Sequence, residues 1–289
     1  MNNRVSPWLA AMLALAASAP ALGVSAQPAA RPISAPAKAP AFGDATFERL
    51  WNRTDLPVAA HQTTRSWFWG PGPQTMMSET YLDAPDGSGQ RLVQYFDKSR
   101  MEINDPGKPS NDTFYVTNGL LTVELISGRM QIGNSTFENR QPARINIAGD
   151  FNDPNAPTYA SFGSVSNVNG AKPSDPRPGV QNTSVIRRDG SVVVDPGKAV
   201  YPKIQNVFYD DESKHNVPAA FWDFLNQSGP VNINGQIQNQ RLIDPWYYAS
   251  GRPISEAYWA SVRINGKATD TLIQAFERRV LTYVPTNPT

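Results

Sequence analysis

Apolar and polar residues recur along this chain with two different periods, and the change of period sets out its elements. Over residues 46–54, Phe47, Leu50 and Trp51 return at helical spacing, which predicts a short amphipathic helix ending before Pro57. Over 91–103 the period is two, with Val93, Tyr95, Met101 and Ile103 on one face and Lys98, Arg100 and Glu102 on the other, as in a single half-buried strand. Residues 115–117, the pair Asn118-Gly119 and residues 120–126 predict a hairpin, because Asn-Gly accepts the positive φ values of a type I′ turn. Residues 144–147 and 191–194 are further strands. Residues 217–227, with Phe221, Trp222, Phe224 and Leu225, predict a second helix stopped by Gly229-Pro230. The intervening 152–190, rich in Asn, Pro, Ser and Gly, reads as a surface excursion or a boundary between lobes.

A self-comparison adds a duplication. Ser78-Glu79-Thr80-Tyr81, an Asp86-Gly87 turn and Leu92-Val93-Gln94-Tyr95-Phe96-Asp97-Lys98 find a counterpart in Ser255-Glu256-Ala257-Tyr258, an Asn265-Gly266 turn and Leu272-Ile273-Gln274-Ala275-Phe276-Glu277-Arg278. Upstream, Trp67-Phe68-Trp69 matches Trp246-Tyr247-Tyr248, and the Phe47 helix matches the Phe221 helix. The predicted fold is therefore a strand-dominated α+β protein of two related lobes with short helices. Its expected parts are 1–26, a signal peptide; 27–44, a Pro/Ala-rich tether; 45–150, the first lobe; 151–198, a loop-rich connection; and 199–289, the second lobe. That second lobe ends without a partner for its last strand, which suggests C-terminal truncation.

The N-terminus and composition place the protein. Arg4, the apolar run from Trp8 to Val24 and the small residues Val24-Ser25-Ala26 before Gln27 have the order of a cleavable secretory signal, and Pro20 breaks a run already short for a bilayer span. A secreted, periplasmic or extracellular location follows, with no transmembrane segment after cleavage. The chain has no cysteine, so a stable mature protein depends on core burial, with neither disulfides nor thiol chemistry. Loss of Arg4 leaves 25 basic residues from the original 26 against 25 acidic ones, and a neutral surface argues against a nucleic-acid partner.

The runs Tyr95-Phe96-Asp97-Lys98-Ser99-Arg100-Met101-Glu102, Val116-Thr117-Asn118-Gly119-Leu120-Leu121, Glu124-Leu125-Ile126-Ser127-Gly128 and Phe276-Glu277-Arg278-Arg279-Val280-Leu281-Thr282-Tyr283 together resemble a family of secreted bacterial proteins that carries no established activity. The resemblance runs from about Phe47 to the C-terminus. It implies export and a domain often joined to other extracellular modules, and it supplies no catalytic residues. It also implies an aromatic-rich continuation beyond Pro288.

Candidate chemistry is sparse. Glu79 and Glu256 are paired by the duplication and could divide acid and base roles in glycoside hydrolysis if they faced one cleft; buttressing of each lobe is the simpler role. Asp97-Lys98 and Glu277-Arg278, with Arg100 and Arg279 nearby, suit ion pairs between strands or lobes, with binding of an anionic ligand through Arg as the alternative. Trp67, Trp69, Trp246, Tyr248 and Trp259 are candidate ligand-binding residues, as a platform for sugar faces or as core. His61 and His215 are the only histidines; His215 is expected in a solvated acidic turn after Asp210-Asp211-Glu212. Asp150 to Asn155 has calcium-like oxygen spacing without the required Gly and Glu. No metal or cofactor is expected. The sequence thus points to a non-catalytic module binding polysaccharide or cell envelope, with a glycan hydrolase using Glu79 and Glu256, or a structural domain presenting other modules, as alternatives.

Overall fold

The computed structural model describes residues 41–287. The expected signal peptide and most of the expected tether lie outside them. The tether's last four residues do not hang free: Phe42 packs against the rings of Trp51 and Phe96, and Gly43 N–H donates to Gln94 Oε1 at 2.9 Å. Asp44 then caps α1 (Ala45–Thr54) by accepting from Thr46 N–H at 2.7 Å. Phe47 and Trp51 are buried on one face of that helix, as its spacing predicts. A one-turn helix, α2 (Leu56–Ala59), follows with Pro57 in its first turn.

Next come β1 (Pro73–Thr80), β2 (Gln90–Phe96) and β3 (Arg100–Ile103), an antiparallel sheet in the order β1-β2-β3. The single strand expected over 91–103 is two strands. Phe96 N–H donates to Ser99 O at 2.8 Å, closing a tight turn over Asp97-Lys98. Arg100 and Glu102, expected to face solvent, are buried because they pair with each other. The hairpin expected at Asn118-Gly119 is also corrected. Thr117 makes one bridge to Glu102, and the chain then winds into α3 (Leu121–Ser127), which ends at Gly128 with φ of 73°. Helical winding turns Glu124 inward, where both its oxygens accept from Arg100 at 2.7 and 2.8 Å.

A small hairpin, β4 (Arg129–Gln131) with β5 (Phe137–Asn139), follows. Residues 144–147 form no strand; Asn146 makes only an isolated bridge to Thr158. The loop-rich segment supplies β6 (Ser184–Ile186) and β7 (Val192–Val194). Then β8 (Asn206–Asp210) pairs with β9 (His215–Pro218), so α4 (Ala219–Leu225) begins later than the expected helix. Gly229-Pro230 lies inside β10 (Ser228–Ile233), which pairs with β11 (Gln236–Arg241). Finally β12 (Tyr258–Ile264), β13 (Lys267–Ala275) and β14 (Val280–Tyr283) complete a sheet ordered β14-β13-β12-β6-β7, so the loop-rich segment is part of that sheet.

The fold is strand-rich with few short helices, an α+β arrangement. Its cores ignore the expected lobe limits: Phe47, Trp51, Phe68, Trp69 and Met101 share one cluster with Val231, Leu242 and Tyr248. A second cluster centres on Phe162, Ile186 and Ile273, and a third on Phe221, Trp259 and Phe276. The meanders β1-β2-β3 and β12-β13-β14 end in the same turn, since Phe276 N–H donates to Arg279 O at 3.0 Å as Phe96 does to Ser99. Gln94 and Gln274, each two residues before that phenylalanine, are both buried. The Ser-Glu-x-Tyr motifs, however, differ in register: Glu79 stands within β1 opposite Arg91, whereas Glu256 precedes β12.

Candidate functional site: a groove along the β14 edge

Strand β14 closes one side of its sheet, and its outer edge borders a groove of about 430 Å³. Three segments build the walls. Phe221 and Phe224 come from α4, Trp67 and Phe68 from the loop after α2, and Lys98 from the β2–β3 turn. Buried Asp55 fixes that loop: its carboxylate accepts from the N–H groups of Phe68, Trp69 and Gly70 at 2.8, 2.6 and 2.9 Å. Phe68 and Phe224 stack at 5.5 Å between ring centroids, and Trp67 stacks on Trp51 at 6.5 Å.

Because Phe276 and Arg279 form the bonded pair of the turn, Leu281 and Tyr283 turn their backbone polar groups toward β13, and Val280 and Thr282 turn theirs away. No backbone partner for Val280 or Thr282 on that outer side is present among the described residues. Tyr283 is half-buried and Thr282 exposed, so the edge offers both a ring and hydrogen-bonding groups.

Arg279 lies at the groove's inner end with only 4% of its surface exposed. Its guanidinium sits 4.6 Å from the centre of the Phe68 ring and 5.0 Å from that of Trp69. It donates to Phe68 O at 2.9 Å and Ser99 Oγ at 3.2 Å, and its Nε is buried without a partner. Burial pushes the Arg279 pKa down to about 10, against the pull of Asp55, which leaves it charged at neutral pH.

Compared with known proteins, the chain matches no family model, no curated protein and no solved structure. Its own geometry therefore decides what the site can do.

Of the ligand-binding residues expected from the sequence, only Trp67 lines this groove; Lys98 and Arg279, expected in ion pairs, line it too. Trp69 and Trp259 are fully buried, and Trp259 donates to Asn182 O at 2.7 Å, so neither offers a face to a ligand. Tyr248 is buried too, its hydroxyl donating to Val116 O at 2.7 Å. Trp246 belongs to a separate half-buried aromatic cluster with Phe208, Trp222 and Tyr247. Tyr283, Phe224, Ser66 and Thr282 were not candidate ligand contacts in the sequence; for Thr282 and Tyr283 the one local signal is the alternation Leu281-Thr282-Tyr283 in β14, and Ser66 and Phe224 have none.

The two glutamates occupy separate networks. Glu79 accepts from Tyr95 Oη at 2.7 Å and from Arg91 at 3.2 Å. Arg91 also reaches Glu102, which holds Arg100 and through it Glu124. Glu256 instead meets Arg177 at 2.7 Å, Asn216 N–H at 3.0 Å and His215 Nδ1 at 3.1 Å. The two share no partner, and neither lines the groove. His215 is thus buried in β9, not set in a solvated turn. Burial pushes the Glu256 carboxyl up, but His215, the Asn216 N–H and Arg177 outweigh it and hold the carboxyl below the ordinary glutamate range.

Asp150 accepts from the N–H groups of Asn265 and Gly266, and Asp153 from that of Arg263; these carboxylates pin the β12–β13 hairpin. Asp97 and Lys98 pair with each other at the surface, and Arg278 donates to the Tyr248 carbonyl. The ion pairs expected between lobes at these positions are absent among the described residues. A second cleft of about 380 Å³ beside α1 contains Arg49 and Arg53, both already engaged with backbone carbonyls. Among the described residues no helix is long and apolar enough to cross a membrane.

Proposed function

We propose that this protein is an exported, non-catalytic module that binds polysaccharide in the groove along β14. The observation that carries the reading is the meeting, in one groove, of the half-buried rings of Trp67, Phe224 and Tyr283 with the outward backbone groups of Val280 and Thr282. A sugar ring has an apolar C–H face and a rim of hydroxyls. Aromatic faces take the first, and unpaired carbonyls, amides and hydroxyls take the second. The volume suits one or two sugar rings of a longer chain. Export rests on the signal-like order of residues 1–26. A duplication origin for the two meanders is supported by their shared turn and by the Gln94/Phe96 and Gln274/Phe276 correspondence. Binding without turnover is favoured over hydrolysis because Glu79 and Glu256 sit in networks with no common member.

Affinity electrophoresis through gels carrying soluble polysaccharides tests this. Retardation of the native protein, lost in Tyr283→Ala and reduced in Trp67→Ala with the fold intact, is the expected result. Absence of retardation in every polymer, or native-like retardation of both variants, would overturn it.

A further inference from the structure

We infer that the polysaccharide is anionic: a chain bearing carboxylates, of the uronate type, whose charge is met by Lys98 at the groove's rim and by the field of Arg279 at its inner end. This rests on the polysaccharide reading above and names its substrate class. Among the described residues, Lys98 and Arg279 are the only charged side chains lining the groove, and no carboxylate lines it. The contrast with the other buried arginines is informative. Arg91 and Arg100 each lie within 3.4 Å of a glutamate oxygen, whereas Arg279 bonds only to a carbonyl and a hydroxyl. Asp55, the carboxylate that acts on Arg279 through space, is already engaged by three backbone N–H groups. The Phe68 and Trp69 ring faces soften the desolvation of the guanidinium but do not neutralise it.

The outcome is a concave, partly apolar site whose described lining presents two cations while their counter-charges, Asp97 and Asp55, stand outside it, on a mature chain of balanced formal charge. Low-dielectric walls focus such a field toward the opening, so an anion there gains more than it would beside the same cations on an open face. Lys98 has a surface partner in Asp97 at 2.7 Å, with both side chains about half exposed. It can therefore swing toward a ligand carboxylate without leaving a buried charge behind. Arg279 stays in place as a positioning charge.

Calorimetric titration with three polymers tests the inference: polygalacturonate, the same polymer with its carboxylates reduced to alcohols, and poly-glutamate. Polygalacturonate is expected to bind roughly tenfold tighter than the reduced polymer, a margin that shrinks as salt screens the exposed part of the attraction. Lys98→Gln, at an exposed position, should narrow the margin several-fold while leaving the melting temperature unchanged. Equal binding of polygalacturonate and its reduced form would overturn the anionic assignment and leave the polysaccharide reading standing. Failure of both would overturn the anionic assignment, and the polysaccharide reading would fall with it only if retardation is absent in every gel polymer as well. Poly-glutamate binding as tightly as polygalacturonate would show that charge alone is recognised, and would overturn the assignment to a sugar chain.

Discussion

The Asp55 carboxylate holds the Trp69 N–H at 2.6 Å, and the same carboxylate takes the N–H groups on either side. One buried side chain thereby shapes the loop that carries Trp67 and Phe68 into the groove. Asp55→Ala would leave three buried donors without acceptors. At about 1–3 kcal/mol for each unsatisfied group, and with partial relaxation, the expected loss is roughly 3–5 kcal/mol in urea unfolding. Asp55→Asn, which keeps one acceptor oxygen, should lose distinctly less. Equal losses for the two variants would mean the oxygens are not what fixes the loop.

Gly119 has φ of 51°, and a Cβ there would intrude on the side-chain oxygen of Glu102 and the Nε of Arg100. Gly119→Ala therefore combines backbone strain with disruption of a buried ion pair. A loss of about 3 kcal/mol or more is expected in thermal or urea unfolding. A near-neutral result would show that the Arg100–Glu102–Glu124 network tolerates displacement.

Glu256 supplies a pH dependence. Its carboxyl is held below the ordinary range in the folded state, so the unfolded chain binds the proton first as pH falls. The stabilisation is complete above the ordinary carboxylate value of about 4.3 and is lost as pH drops through the depressed folded value. Urea midpoints measured from pH 7 downward should fall over that acid window. Glu256→Gln should be less stable at pH 7 and show a flatter acid limb, whereas an unchanged limb would assign the titration to other carboxylates.

Trp259 and Tyr283 make a paired contrast. Trp259→Ala empties a fully buried site and removes the bond to Asn182, so a loss of about 3–5 kcal/mol is expected. Tyr283→Ala at the half-buried edge should cost much less stability yet abolish retardation by polysaccharide. Reversed sensitivities would return Trp259 to the list of ligand contacts.

How much of this was legible in the sequence depended on whether the deciding interaction was local. Helix α1 was readable because its spacing lies within ten residues. The turn at Asp97–Ser99 left only a short interruption, Asp97 and Ser99 on the otherwise apolar face of 91–103, and a buried Arg100–Glu102 pair looks, in a pattern of polarity, like an exposed face. The run 120–126 is too short for periodicity to separate helix from strand, and the choice falls to Glu124 meeting Arg100. The groove was least visible of all. Trp67, Phe224 and Tyr283 come from three distant segments, and only the sheet order leaves β14 at an edge.

The bond from Arg279 to the Phe68 carbonyl also has a bearing on biosynthesis. A chain made from its N-terminus presents Phe68 211 residues before the side chain that covers it, and Phe47 similarly waits for Leu242 and Tyr248. Contacts of such span form late, because the entropy of closing the loop precedes any gain from contact. A nascent chain interrupted before Arg279 would leave the first core uncovered and open to chaperones and proteases. The turn that leads into the groove-bordering strand thus also supplies the last-made contact to the first core.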